Sequence, residues 1–223
     1  NASGIWGACL GQVLPKPDIP NNGIDEDCNG LGGRCSGKDV TGDGKFDDAD
    51  LLNCVQTLTS VGKGPRALAF DRAGYLYFAD STNKIYKVDK DGKVIPFAGT
   101  GQIGSQDGPA LKASFGTIGD IATDTKGNIY VADTSNHKIR KIDKAGNVTT
   151  VAGSTAGTSD GLGIKAQFNN PKGIGLDEKG TIYIADTGNH KIRKIDRFGY
   201  VTTIAGDGKG YLDGPGTSAS AKP

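Results

Sequence analysis

The chain has 223 residues and a net charge of +1, from 26 basic and 25 acidic side chains. This length fits one domain or one domain plus a small module, and the charge argues against a polyanion binder driven by bulk charge. The longest unbroken apolar run is Tyr75 to Ala79, far short of the roughly 20 residues of a membrane-spanning helix, so we expect no membrane span. Methionine is absent even at position 1, which indicates a processed or excised product without its signal peptide.

The first 60 residues differ from the rest in charge and in cysteine content. They carry a net charge of −5, whereas the remaining residues carry +6, and they contain all the cysteines: Cys9, Cys28, Cys35 and Cys54. An even, clustered set is typical of a disulfide-stapled extracellular module, and its pairing stays open among three possibilities. Free buried thiols or a four-cysteine zinc site are the alternatives, but the Cys-x-x-Cys spacing common in zinc sites does not occur. We therefore expect oxidised cysteines and a secreted protein.

Oxygen-bearing side chains alternate along residues 39–50. The predicted ligands, with Lys45 contributing its carbonyl, are Asp39, Thr41, Asp43, Lys45, Asp47 and Asp50. Calcium takes six to eight hard oxygen ligands, and the glycine at position 6 of the run, Gly44, permits the required turn. The run resembles EF-hand and, with Asp50 in place of the closing glutamate, dockerin-type loops. That resemblance implies calcium and a following short helix, for which residues 49–58 have apolar side chains at helical spacing. A turn without an ion is the alternative.

A second, incomplete loop precedes the first. Asp25, Asp27 and Asn29 match the first half of the same pattern, but Ser36 stands where the closing carboxylate is needed. The segment resembles Asp/Cys-rich motifs of secreted bacterial surface proteins and, in interleaving cysteine with calcium-binding aspartate, thrombospondin type 3 repeats. Calcium binding and a disulfide-held turn both stay open here, and one complete loop gives little support to dockerin-like docking on a cohesin.

The remainder of the chain repeats itself with a period of 53 residues. Gly127 to Asp143 recurs as Gly180 to Asp196, and Gly74 to Asp80 matches Gly127 to Asp133 at the same offset. The first unit contains four short runs rich in β-branched and aromatic residues, separated by Asp/Gly turns: 66–70, 75–79, 84–88 and 94–98. A repeat of four antiparallel strands is one blade of a β-propeller.

The run from Gly127 to Ile142 also resembles the NHL repeat, although lysine stands third after Asn136-His137. The resemblance implies a β-propeller, usually of six blades. We predict an all-β fold: a partial β-propeller of about three four-stranded blades (63–116, 117–169 and 170–223) in a domain over 63–223. A Cys-rich calcium-binding module with a short helix precedes it over 1–62. Further blades or self-association would cover the open flanks, where we expect apolar side chains at positions 129, 131, 182 and 184.

The residues typical of catalysis are sparse in the repeats. The histidines, His137 and His190, occupy equivalent positions, which favours a structural turn role over metal binding. Asp80, Asp133 and Asp186 are expected to cap turns by accepting backbone N–H groups. We predict no catalytic residue and no enzyme. The alternative is a fragment of a metal-dependent lyase or lactonase-like propeller, with its catalytic groups in further blades.

Basic residues recur on one strand of two units: Lys138, Arg140, Lys141, Lys191, Arg193 and Lys194. They are either solvated or bind an anionic polymer. The acidic head and near-zero net charge argue against nucleic acid, so a protein or cell-surface polymer is the expected partner. The sequence thus predicts a secreted, calcium-stabilised β-propeller that binds or scaffolds at the cell exterior.

Overall fold

The computed structural model describes residues 62–89 and 92–206. The chain divides into two compact units, Asn1–Ser60 and Val61–Pro223, and the described residues all belong to the second. Both predicted calcium loops, the cysteines and the short helix lie outside the described residues, as does the segment after residue 206.

The described residues form three antiparallel sheets. The first sheet contains β1 (Pro65–Phe70), β2 (Leu76–Asp80), β3 (Ile85–Val88) and β4 (Val94–Ala98), paired in chain order. Its strands coincide with the four predicted runs to within a residue at each end. Hydrogen-bonded turns join them, with glycine at positive φ after β1 (Gly74, 84°) and after β3 (Gly92, 76°), and Asn83 at a φ of 61° after β2.

The second and third sheets have five strands each, one more than predicted. The second contains β5 (Gly108–Pro109), β6 (Ile118–Thr123), β7 (Ile129–Asp133), β8 (Lys138–Ile142) and β9 (Asn147–Ala152). The third contains β10 (Gly161–Leu162), β11 (Gly173–Leu176), β12 (Ile182–Asp186), β13 (Lys191–Ile195) and β14 (Tyr200–Ala205). The extra strands, β5 and β10, come from the linkers between blades and pair with the outer strands β9 and β14. They satisfy backbone groups that an outer edge strand otherwise leaves unpaired.

Consecutive sheets pack face to face as propeller blades. The inner strands β1, β6 and β11 contact one another in that order. The first interface buries Ala79 and Ile85 against Ile129 and Val131, and the second buries Ile139 against side chains of the third blade. At about 25 cal/mol per Å² of apolar surface, such interfaces supply the main stabilisation of the blades.

The exposed apolar residues on the outer flanks differ from those predicted. Positions 129, 131, 182 and 184 are at most 4% exposed because they lie in the interfaces between blades. On the first blade the exposed residues are Leu68 (65%) and Phe70 (61%), and on the third blade Ile192 is 41% exposed. The equivalent of Leu68 in the second blade, Ile121, is buried. The uncovered faces are therefore those that an adjoining blade would cover.

Helical structure in the described part of the chain is limited to single 3-10 turns. These turns span Thr134–Asn136, Gly163–Lys165 and Thr187–Asn189. Within the same residues, no helix is long and apolar enough to cross a membrane.

Candidate functional site

The arginines of the predicted basic strands are buried. Arg140 is 0% exposed, and its guanidinium bonds the carboxylates of Asp133 at 2.8 Å and Asp107 at 2.6 Å. Arg193 repeats the arrangement with Asp186 and Asp160 at the same distances. Asp107 and Asp160 belong to the linkers that precede β6 and β11, so each arginine fastens a linker to its blade.

This burial corrects the prediction that Arg140 and Arg193 belong to a binding surface. Because each guanidinium is enclosed and also bonds the carbonyls of the linker, neither can reach a ligand. The basic residues of these strands that keep partial exposure are Lys138, Lys141, Lys191 and Lys194. Lys138 lies 3.2 Å from the Ser105 hydroxyl.

The first of the three repeated aspartates caps its turn, as predicted, and the other two do not. Asp80 accepts the N–H groups of Thr82 and Lys84 in the turn that follows it, and that of Lys63. Asp133 and Asp186 make no cap bond to the 3-10 turns after them and accept instead the N–H groups of Gly116 and Asn169, 17 residues earlier. Burial alone would raise the pKa of Asp80, but hydrogen bonds from the Thr82 hydroxyl and from these backbone N–H groups outweigh it and hold the pKa below its usual value.

The two histidines lie in equivalent turns. His137 and His190 have φ of 57° and 56° and end the 3-10 turns in the left-handed region. His137 also accepts the N–H of Asn170 through Nδ1 at 3.1 Å, which joins the second blade to the third. This geometry agrees with the predicted structural role. Among the described residues, no group of three or more His, Cys, Asp or Glu side chains could hold a metal ion.

A second repeated constellation joins an aspartate, a tyrosine and a lysine in each blade. In the first blade, the hydroxyl of Tyr77 lies 3.3 Å from the Asp71 carboxylate, and Tyr77 pairs across the sheet with Lys87. The same positions in the later blades hold Asp124, Tyr130 and Lys141, and Asp177, Tyr183 and Lys194. Burial, then the charge and hydrogen bond of Asp71, raise the pKa of Tyr77 to about 12. The phenol is thus a neutral donor.

The first of these constellations lines an open cleft between the first two blades. The cleft has a volume of about 430 Å³, which lies in the range of small-molecule sites. Its aromatic part consists of Tyr75, Tyr77 and Phe97, with the rings of Tyr77 and Phe97 edge to face at 5.1 Å. The Lys87 ammonium lies 3.6 Å from the centre of the Tyr75 ring, a cation–π contact.

The second blade completes the cleft with cations. Lys126 and Lys144 line it from the second blade, and Arg72 lines it from the first. Gly127 has no side chain, so the Lys144 stem lies against it at 3.0 Å from where a Cβ would stand. Together with Lys87 these cations outnumber the one carboxylate, Asp71, which is already bonded by the Ala73 and Tyr75 N–H groups. The cleft therefore has a net positive charge.

Two of the three aromatic side chains of this cleft depart from the repeat. Where the first blade has Tyr75, the second and third have Asn128 and Thr181. Phe97 stands directly before the last residue of β4, an alanine that recurs at the end of β9 and β14. The residue before that alanine is Val151 in the second blade and Ile204 in the third. A residue that every blade shares is explained by the common fold. The common fold does not explain Tyr75 and Phe97, so a ligand can account for them.

Sequence reasoning missed both the constellation and the cleft. A usable signal was the recurrent spacing Asp-x-x-Gly-x-x-Tyr, which starts at Asp71, Asp124 and Asp177. The sequence signal for the cleft itself is weaker. It is the aromatic residue Tyr75 in one repeat, where the other repeats have asparagine or threonine.

Comparisons with known proteins agree with this architecture. The NHL repeat model matches residues 115–142, and the Teneurin NHL domain model matches residues 156–221. NHL repeat-containing protein 2 of Gallus gallus is 40% identical over 101 residues, which are 44% of this chain and 14% of that protein. The chain thus spans a small part of the length of that relative.

Two solved structures from Bacteroides thetaiotaomicron share the fold. A structural genomics protein of unknown function superposes with a TM-score of 0.58 and 28% identity, over 71% of this chain and 40% of that one. An auxiliary nutrient binding protein superposes with a TM-score of 0.56 and 21% identity, over 70% of this chain and 40% of that one.

Proposed function

We propose that this chain, whose blades are repeats of the NHL type, is a secreted, calcium-stabilised binding module of the cell exterior. The observation that carries the binding role is the cleft between the first two blades. There a cation, aromatic rings and the turn of the next blade line one cleft, and two of its three aromatic residues, Tyr75 and Phe97, are not shared by the other blades.

The chemistry of the cleft favours binding over catalysis. The Tyr77 phenol donates to Asp71, and its pKa of about 12 keeps it protonated at neutral pH. The Asp71 carboxylate accepts backbone N–H groups as well. These groups already have partners and lack the poised acid and base that proton transfer requires, whereas cations and rings suit recognition.

Secretion and calcium rest on the sequence of the first 60 residues. The oxygen donors of residues 39–50 are those that calcium prefers, and the clustered cysteines are typical of an oxidising compartment. The metal would brace the head rather than take part in recognition.

A polymer-binding experiment tests the proposal. The full chain is incubated with isolated cell-surface polymers, and the bound fraction is measured by co-sedimentation beside a variant carrying Tyr75→Asn and Phe97→Val. We expect saturable binding that the variant loses, with the polymer recovered unchanged in mass. Equal binding by both proteins would contradict the role of the cleft, and cleavage of the polymer would favour the enzyme alternative.

A further inference from the structure

The cleft between the first two blades also limits the chemistry of its ligand. We infer that it binds a segment of an acidic polysaccharide, with one sugar ring on the aromatic side chains and its carboxylate or sulfate on the lysines. This inference rests on the proposed function and names the ligand of the same site.

The charge of the cleft requires an anion. Arg72, Lys87, Lys126 and Lys144 line it with Asp71 as the opposing carboxylate, a local excess of three positive charges by count. Lys87 is half-buried against the Tyr75 ring, so its charge is less screened by solvent than those of the exposed cations at the rim. An anionic group placed between Lys87 and the second blade would meet cations on both sides.

The aromatic side chains require a ligand with an apolar face. Tyr75 and Phe97 are half-buried and line the cleft, so a ligand that covers them would remove apolar surface from water. A pyranose ring has such a C–H face on one side and hydroxyl groups at its edge. Thr125 and the adjoining turn residues Lys126 and Gly127 also line the cleft and offer polar groups with which the hydroxyl groups of a sugar can pair.

The open shape of the cleft favours a polymer segment over a small enclosed ligand. Its rim residues Arg72, Ala73, Thr125, Lys126 and Lys144 are exposed, so a bound ring could continue into neighbouring rings on both sides without a clash.

The equivalent positions at the junction of the second and third blades show why single-stranded nucleic acid is the weaker choice. The cations there are Lys141, Lys179 and Arg197, but asparagine and valine replace the tyrosine and phenylalanine. Nucleic-acid platforms stack successive bases on successive aromatic residues along a basic groove. Here the charge continues into the next blade and the aromatic lining does not, which fits one ring held at one place.

The chain offers a matched pair of variants for the test. Tyr75→Asn with Phe97→Val gives the cleft the residues that stand at the equivalent positions of the second blade, which the same fold already accommodates. Lys87→Gln removes a cation from the cleft. Lys141→Gln removes the equivalent cation of the second blade and leaves the lining of the cleft intact.

Isothermal titration of the full chain with hexagalacturonate measures the affinity, with maltohexaose as the neutral probe of equal length. We expect hexagalacturonate to bind at one site and maltohexaose to bind at least about tenfold more weakly, a difference of about 1.4 kcal/mol. The double variant and Lys87→Gln should each weaken binding about tenfold or more, and Lys141→Gln by less than about twofold. Circular dichroism confirms that each variant is folded.

Three results would overturn the inference. One is equal binding of the two oligosaccharides, and another is an equal loss in Lys87→Gln and Lys141→Gln, since bulk charge alone predicts it. The third is tighter binding of oligouridylate than of hexagalacturonate with the same dependence on Tyr75, which would assign the cleft to nucleic acid. If cell-surface polymers bind in the cleft and hexagalacturonate does not, the binding role stands and the acidic sugar is wrong.

Discussion

Arg140 and Arg193 show how a charged residue can belong to the core of a repeat. Each guanidinium is fully buried, and each bonds one buried carboxylate and one that is about half exposed. The buried partner matters most for stability, because solvent screens the exposed carboxylate. Taking a buried pair out of water is costly, and removal of one partner leaves the other uncompensated.

Arg140→Ala should therefore destabilise the protein by about 3–5 kcal/mol, the usual loss when a buried pair is broken. Urea unfolding, followed by circular dichroism, measures the loss. Lys141→Ala, on the next and partly exposed residue, is the control and should cost less than about 1 kcal/mol. Asp133→Asn in the Arg140→Ala background should recover part of the loss, since it removes the uncompensated charge. A small effect of Arg140→Ala would show that the ion pair adds nothing to linker attachment.

Acid should weaken the blades through carboxylates whose pKa values lie below their usual range. Burial by itself would raise the pKa of Asp124, but hydrogen bonds from the Asn128 side chain and N–H reverse the effect and lower it. For Asp160, burial is likewise outweighed by the Thr203 N–H and by Arg193. Such groups contribute their full stability above the unfolded pKa of about 3.9 and lose it as the pH falls through the folded value.

Near neutral pH, these groups should therefore make the free energy of unfolding independent of pH. As the pH drops below about 4, the free energy of unfolding should decrease. Urea titrations at a series of pH values measure it. Asp124→Asn should reduce the slope on the acid side. A slope unchanged by this substitution would show that Asp124 titrates alike in the folded and unfolded chain.

At the scale of the strands, the linkers hold the second and third blades at two strands each. β5 and β10 add to the outer strands β9 and β14, while Asp107 and Asp160 bond β8 and β13 through the arginines. Glycines end the outer strands where the linkers depart. Gly153 has a φ of 91°, and a Cβ there would collide with the His137 carbonyl oxygen.

Gly153→Ala should therefore cost more than a substitution that only strains the backbone. Gly146, with a φ of 78° and nothing within 4 Å of a built Cβ, provides the control. Gly146→Ala should cost about 1–2 kcal/mol, the penalty of the left-handed region, and Gly153→Ala clearly more. Thermal unfolding of both variants measures the difference. Equal melting temperatures would mean that the strand end moves to relieve the collision.

The sequence predicts the long strands well and the linker contacts poorly. Runs such as residues 94–98 are rich in apolar residues between clear turn signals, so their pattern is visible in the chain itself. β5 has two residues, glycine and proline, and no periodicity can reveal it. The pattern Lys-Ile-Arg-Lys by itself indicates a solvated face. The linker that encloses Arg140 bonds it through Asp107, 33 residues earlier, and such a contact is not visible in the local pattern. The cleft is likewise a tertiary feature, since β-strands and turns of two blades meet to form it.

At the scale of the molecule, the chain divides into two units at residue 60, and the predicted calcium loop lies in the first. Calcium binds a folded loop more tightly than an unfolded chain and so stabilises the fold that it binds. We predict that EGTA lowers the melting temperature of the head and exposes residues 36–58 to protease. Asp43→Ala should reproduce the effect of EGTA. Identical melting curves of demetallated and calcium-loaded protein would contradict the predicted site.

We propose that Tyr75 and Phe97, the aromatic residues peculiar to the first blade, make its cleft the ligand site, whereas the cations that recur in the next blade do not suffice without them. Hydrogen–deuterium exchange of the full chain, with and without saturating hexagalacturonate, tests this directly. The predicted result is slower exchange in residues 71–77 and 124–127, which contribute to the first cleft, with residues 177–183 unchanged. Equal protection of residues 124–127 and 177–183, or protection only outside the first cleft, would contradict it.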